Sequence, residues 1–237
     1  SFKSSHIRST LPELSEYPNW QVALPSLLPD LTALLKDALD LMQEMGNVNA
    51  KSDPSWSDMA SISPHHQNRN HSEWTTLIEL SRIAWDEMNK TAPEQAHRMA
   101  SHWNNIPYPT FKRLAFYAAT KSECIPPKEA LDWLLAPDPW FLWSNETNRE
   151  TIRLIAKLAD RLNDTELDRL ERCILDGPPN EMFREDIESD KLEQYSEEMI
   201  WLRLAKMEHE GRLTSHGQEA LDILSKNRED FEKRGIA

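Results

Sequence analysis

Glycine is scarce in this chain, five residues in 237. Phosphate-cradling loops and nucleophile turns are built on clustered glycines, and no P-loop, GxGxxG or GxSxG is present. Tight β-hairpins also lean on glycine, and no stretch alternates Val, Ile and Thr, so a hairpin-rich β fold is excluded. Cysteine is nearly absent. Cys124 and Cys173 form no CxxC, so the expectation is two buried free thiols in a reducing compartment. No apolar run approaches the roughly 18 residues that span a bilayer, and no secretory signal is visible. These absences lead us to expect a soluble, cytoplasmic protein with no membrane partner. Ser1 is not an initiator Met and Ala237 follows a charged stretch, so the chain is expected to be a segment of a longer protein.

Carboxylates are plentiful. The net charge is −13, and it is uneven. Residues 121–237 hold 17 basic and 27 acidic residues, a balance of −10, which leaves −3 for residues 1–120. Such a surface repels phosphate backbones, so nonspecific nucleic-acid binding is not expected.

Apolar residues recur at helical spacing along most of the chain. Leu28, Leu31, Leu35, Leu39 and Met42 mark one face of a helix over 25–45, ended by Gly46. Ser72 is placed to cap a helix reaching Lys90, with Leu77, Leu80, Ala84 and Met88 in a stripe. Helices are expected from Pro93 to Trp103, from Thr110 to Lys121, from Pro127, and from Glu146 to Leu162. Asn163 with Glu166, and Ser215 with Gln218, have capping-box spacing. Gly177-Pro178-Pro179 is a stop. A long helix should end at Gly211, and a last charged helix should begin near Asn227. The fold class is therefore all-α. Pair starts near 73, 110, 146 and 191 suggest a helical-hairpin array of HEAT or TPR type, with an irregular helical domain as the alternative. The expected organisation is an N-terminal helical segment over 1–52, a long loop over 53–72, and the array over 73–237.

Asn47 to His71 is too long and too polar for an ordinary helix connection. Trp56, Met59 and Ile62 within it argue for order, since a solvated linker has no use for them. The expectation is a loop docked through those three residues, with Trp56, His65, His66, Gln67, Asn68 and Arg69 available to a partner. His65, His66 and His71 read as HHxxxxH, a metal-binding possibility. With no HExxH and no thiolate partner, solvated loop histidines are the simpler account, and no metal or other cofactor is expected. Among the nine tryptophans, Trp74, Trp85, Trp103, Trp133 and Trp201 lie on helices and should fill seams. Trp140 and Trp143 sit in a Pro-rich corner, where an aromatic is either core or a binding anchor.

Three stretches carry a resemblance. They are SWSDMASISPHHQNRNHSEWTTLIELSRIAWDEM (Ser55–Met88) with WNNIPYPTFKRLAFYAA (Trp103–Ala119), WSNETNRETIRLIAKL (Trp143–Leu158), and ILDGPPNEMFR (Ile174–Arg184) with IWLRLAKMEHEGRL (Ile200–Leu213). Over about residues 54–226 the chain resembles the helical C-terminal region of very large bacterial proteins with N-terminal SIR2-like or STAND-type NTPase modules, several of them linked to anti-phage defence. The resemblance implies a helical sensor or scaffold with catalysis elsewhere in the parent chain. It assigns no catalytic residue. The expected function is a non-catalytic interaction module whose partner is a protein, the rest of the parent chain, or another copy. The alternative is a small helical metal-dependent hydrolase using the loop histidines.

Overall fold

The structure is a computed structural model and describes residues 13–14, 16–68 and 74–227. It is 73% helix with no strands among the described residues, so the all-α expectation holds. The helices are α1 (Pro18–Glu44), α2 (Ser55–Asp58), α3 (Thr75–Thr91), α4 (Pro93–Asn105), α5 (Pro109–Lys121) and α6 (Pro127–Leu135). They continue with α7 (Trp140–Trp143), α8 (Asn148–Arg161), α9 (Asp164–Leu175), α10 (Ser189–Glu210) and α11 (Ser215–Asn227). No described helix is long and apolar enough to cross a membrane. The cap at Ser72, Arg69, His71 and the helix expected beyond Asn227 lie outside the described residues.

The chain divides into two compact units, Ser1–Ile125 and Pro126–Ala237. In the first, α1 packs along α3, across the boundary that the sequence placed before residue 73. The helix α1 starts at Pro18 rather than Pro25, and carries Pro25 and Pro29 inside it. An internal proline removes one backbone bond and costs about 3 kcal/mol. Here Leu24 precedes Pro25 and Leu28 precedes Pro29, both buried, and that burial offsets the loss. The buried face runs Leu24, Leu28, Thr32, Leu35 and Leu39. Thr32 sits in this apolar row because the buried Trp103 donates its indole N–H to Thr32 Oγ1 at 3.0 Å. Trp85, also fully buried, donates to the Ala96 carbonyl at 2.9 Å and meets Tyr117 edge-on.

In the second unit α8 turns Leu154, Ile155, Leu158 and Ala159 toward the core and packs on α10. Gly211 ends α10 so close to α8 that a Cβ there would lie 2.9 Å from the Ala159 side chain. A regular hairpin array pairs each helix with its successor. That holds for α3 with α4, α4 with α5, α9 with α10 and α10 with α11, but α9 also packs on α6, and α8 packs on α10, helices that are not neighbours in sequence.

The expected capping box of α9 is present: Asn163 accepts from Glu166 N–H, and Glu166 reaches back to Asn163 N–H. At α11 the cap is Thr214 rather than Ser215, since Gly217 N–H donates to Thr214 Oγ1 at 3.2 Å. The Thr214 N–H and hydroxyl in turn donate to Glu171, a carboxylate 1% exposed. A Cβ on Gly217 would lie 2.6 Å from that carboxylate.

Leu35 is 0% exposed within α1. Leu35→Ala should lower the unfolding free energy by about 2–5 kcal/mol, read as an earlier urea midpoint at unchanged slope. A loss below about 1 kcal/mol would detach α1 from the cooperative unit. Tyr108 supplies a pH signature. Its hydroxyl lies 2.6 Å from Asp40 Oδ1 and 2.7 Å from Gln43 Oε1, both on α1. Burial, then the neighbouring carboxylate, pushes the phenol up to about 12. An unfolded tyrosine ionises near 10. The stability from this group is therefore complete below about pH 10 and is lost as pH rises toward 12. Alkaline urea titrations should show this loss, and Tyr108→Phe should flatten it.

Candidate functional site

The segment after α1 is held in place by polar groups from α5. That helix opens at Tyr108-Pro109-Thr110, and Tyr108 gives it no side-chain cap. Pro109 has no N–H, so the first orphan donor is Thr110. Asp53, 57 positions earlier in the chain, fills the vacancy: its Oδ2 accepts from Thr110 N–H at 2.6 Å and from Thr110 Oγ1 at 2.8 Å. A carboxylate at a helix N-terminus is further favoured by the helix dipole. Asp53 Oδ1 accepts from Ser55 N–H at 2.9 Å, which opens the one-turn α2. Asp53 and Ser55 are buried.

One turn along α5, on the same face, stands Arg113, 1% exposed. Its guanidinium donates to Ser55 Oγ at 3.1 Å and to the Met59 carbonyl at 2.8 Å. Two side chains spaced i, i+3 on one helix thus grip both ends of α2. Asp58 adds a third hold by accepting the Trp74 indole N–H at 3.0 Å. Farther on, Asn68 folds inward. Its Oδ1 accepts from Ser61 N–H at 3.1 Å and its Nδ2 donates to the Ser61 carbonyl at 2.6 Å.

Two of the three expected docking residues are buried, Met59 at 3% and Ile62 at 0% exposure. Trp56 is not. It is 46% exposed, so the docking it was expected to share falls to Met59 and Ile62. Of the expected contact residues, His65 is half-buried and stacks on the exposed His66 with ring centroids 4.3 Å apart. Gln67 is exposed, and its N–H donates to His65 Nδ1 at 3.2 Å. Asn68 is committed to closing the loop. Arg69 lies outside the described residues. Among the described residues no three His, Cys, Asp or Glu side chains converge as metal ligands. His71, the third member of the expected cluster, lies outside them.

The cysteines correct a second expectation. Cys124 is exposed rather than buried, and Cys173 is half-buried. Burial, then the nearby Asp176, raises the Cys173 pKa, so its thiol is held protonated and is a poor nucleophile.

The aromatic corner divides its two tryptophans. Trp143 is 1% exposed and core. Arg203 of α10 lies over one face of its ring, 4.3 Å from the centroid. The same guanidinium donates to the Leu142 carbonyl at 2.7 and 3.0 Å and to the Met199 carbonyl at 2.9 Å. Burial lowers the Arg203 pKa to about 9, so it remains charged at neutral pH. Trp140 is half-buried and stands on the wall of a cleft of about 370 Å³ within the second unit. The opposite material comes from the 3-10 turn Asn180–Met182, which follows the Gly177-Pro178-Pro179 stop. The sequence marked Trp140 and that stop separately, and nothing in either marked their meeting.

No family model, curated protein or solved structure matches the chain.

Asp53→Ala leaves the Thr110 N–H and hydroxyl buried without their acceptor. Each such orphan costs about 1–3 kcal/mol. The expected result is faster tryptic cleavage at the exposed Lys51, with the remainder of the helical signal retained. Equal cleavage rates in wild type and variant would show that Asp53 does not hold the loop.

Proposed function

We propose that this chain is a non-catalytic protein-interaction and scaffolding module of a larger protein, in the manner of the bacterial anti-phage defence proteins it resembles. The observation that carries the proposal is the Asp53–Asn68 loop. It is held by Asp53 and Arg113 through buried hydrogen bonds and closed by the part-buried Asn68 amide, while it keeps Trp56 46% exposed. Large aromatic side chains dominate the energetics of protein contacts. Fixing one on a rigid loop before binding removes the entropy cost of ordering it afterwards. Leu34 and Leu41 on α1 and Met45 just past its end, each more than half exposed, add a second apolar surface to the same unit. Self-assembly and docking to the remainder of a parent chain use the same chemistry.

The test places a photo-crosslinking amino acid at position 56 of the full chain in cells, with position 222 as an exposed control. A discrete adduct from 56 and none from 222 is the expected result. No adduct from 56, or equal smears from both, would overturn the Trp56 loop as the contact that carries the reading. Purified chain should also leave ATP and NAD unchanged. Turnover that survives repurification, or stoichiometric zinc or manganese lost on replacing His65 and His66, would point to an enzyme instead.

A further inference from the structure

The cleft in the second unit has a lining that selects one kind of guest. Trp140 and Phe183, both half-buried, supply aromatic surface above the buried Trp143, Met199 a thioether, and Glu146 and Glu181 carboxylates; no basic side chain lines it. One face of Trp143 is already covered by Arg203, which shows the packing these rings accept. That guanidinium is outside the lining, with its donors spent on the Leu142 and Met199 carbonyls. Glu146 is half-buried, held by the Ser144 hydroxyl, so its carboxylate is oriented before any guest arrives. The chain next to Phe183 extends the same sign of charge. Residues 185–198 hold seven acidic residues against Lys191 alone, and Glu185, Asp186, Glu188, Asp190 and Glu193 are exposed.

We propose that this cleft receives an arginine or lysine side chain from a basic segment of a partner protein. The guest's cation would sit between Glu146 and Glu181 with its stem or plane against Trp140 and Phe183. Aromatic faces attract cations, and a carboxylate nearby adds charge-assisted hydrogen bonds. Arginine fits best, because its planar fork both stacks and binds carboxylates bidentately. A polypeptide is favoured over a small ammonium ion because the acidic run beside the cleft attracts further basic residues of the same segment. An acidic or phosphate-bearing guest is repelled by every ionised group in the lining. This inference rests on the chain being an interaction module, but it concerns a different unit from the Trp56 loop. Failure of the crosslink at 56 with a working cleft would remove the loop reading alone.

Isothermal titration of the full chain with acetyl-triarginine amide tests it, at about 0.15 M salt, where charges beyond about 8 Å are screened. One-to-one binding is expected, weakened at least about tenfold in the Glu146→Gln/Glu181→Gln double variant. Gln keeps the size and acceptor oxygen of Glu, and far-UV dichroism checks that the variant is folded. Phe183→Leu is the second variant, and it should weaken binding without altering charge. No binding at millimolar peptide would overturn the proposal. So would binding that ignores all three substitutions, since that is diffuse attraction to the acidic surface. Tetramethylammonium binding as tightly as the peptide would also overturn it, because the site would then be one for a small cation.

Discussion

Every helix leaves backbone groups unpaired at each end, and a protein built of many short helices has many such ends to satisfy. Water can serve those at the surface. Inside, the partner must come from the chain itself. Asp53 serves the first turn of α5, Glu171 serves the residue that caps α11, and Arg203 takes the Leu142 carbonyl near the end of α7. Each is a charged side chain almost wholly removed from solvent. A buried charge is costly unless its hydrogen-bonding capacity is used, and each of these uses it on backbone. The result is that segments distant in sequence are fastened at helix ends, while the apolar faces fill the space between.

This division of labour explains what was legible beforehand. Apolar periodicity reports which residues face inward, so Leu28, Leu35 and Leu39 on α1 were readable and are fully buried. Local caps were readable too, and Asn163 with Glu166 is the case in point. Long-range satisfaction leaves no local mark. Thr32 looks like a polar interruption of the α1 face until the Trp103 indole is placed beside it. Tyr108 gives α5 no side-chain cap, so Thr110 N–H needs an acceptor from elsewhere in the chain. Nothing local names Asp53 as that acceptor. Helix pairing is the same kind of quantity. Spacing suggested successive hairpins, but that α9 packs on α6 as well as on its successor depends on complementarity of whole faces.

At the loop, the three-residue spacing of Trp56, Met59 and Ile62 suggested one docked face. Helical geometry does not persist long enough to deliver it. The helix α2 ends at Asp58, and Met59 is extended at φ −139° and ψ 98°. The periodic argument therefore lost its phase after one turn. Met59 and Ile62 point inward for their own local reasons and Trp56 does not. The polar tip was read as uniform because composition carries no direction. Asn68 differs from Gln67 in that its amide closes on Ser61 on both sides.

The contact between Glu171 and the start of α11 has a consequence for how this sequence can change through descent. Gly217 has its neighbour's carboxylate where a methyl group would go. A side chain at 217 obliges the Glu171 carboxylate to swing aside, shorten or be lost, and each of these disturbs the acceptor of the Thr214 donors. The three positions are therefore coupled, and among diverged copies they should vary together.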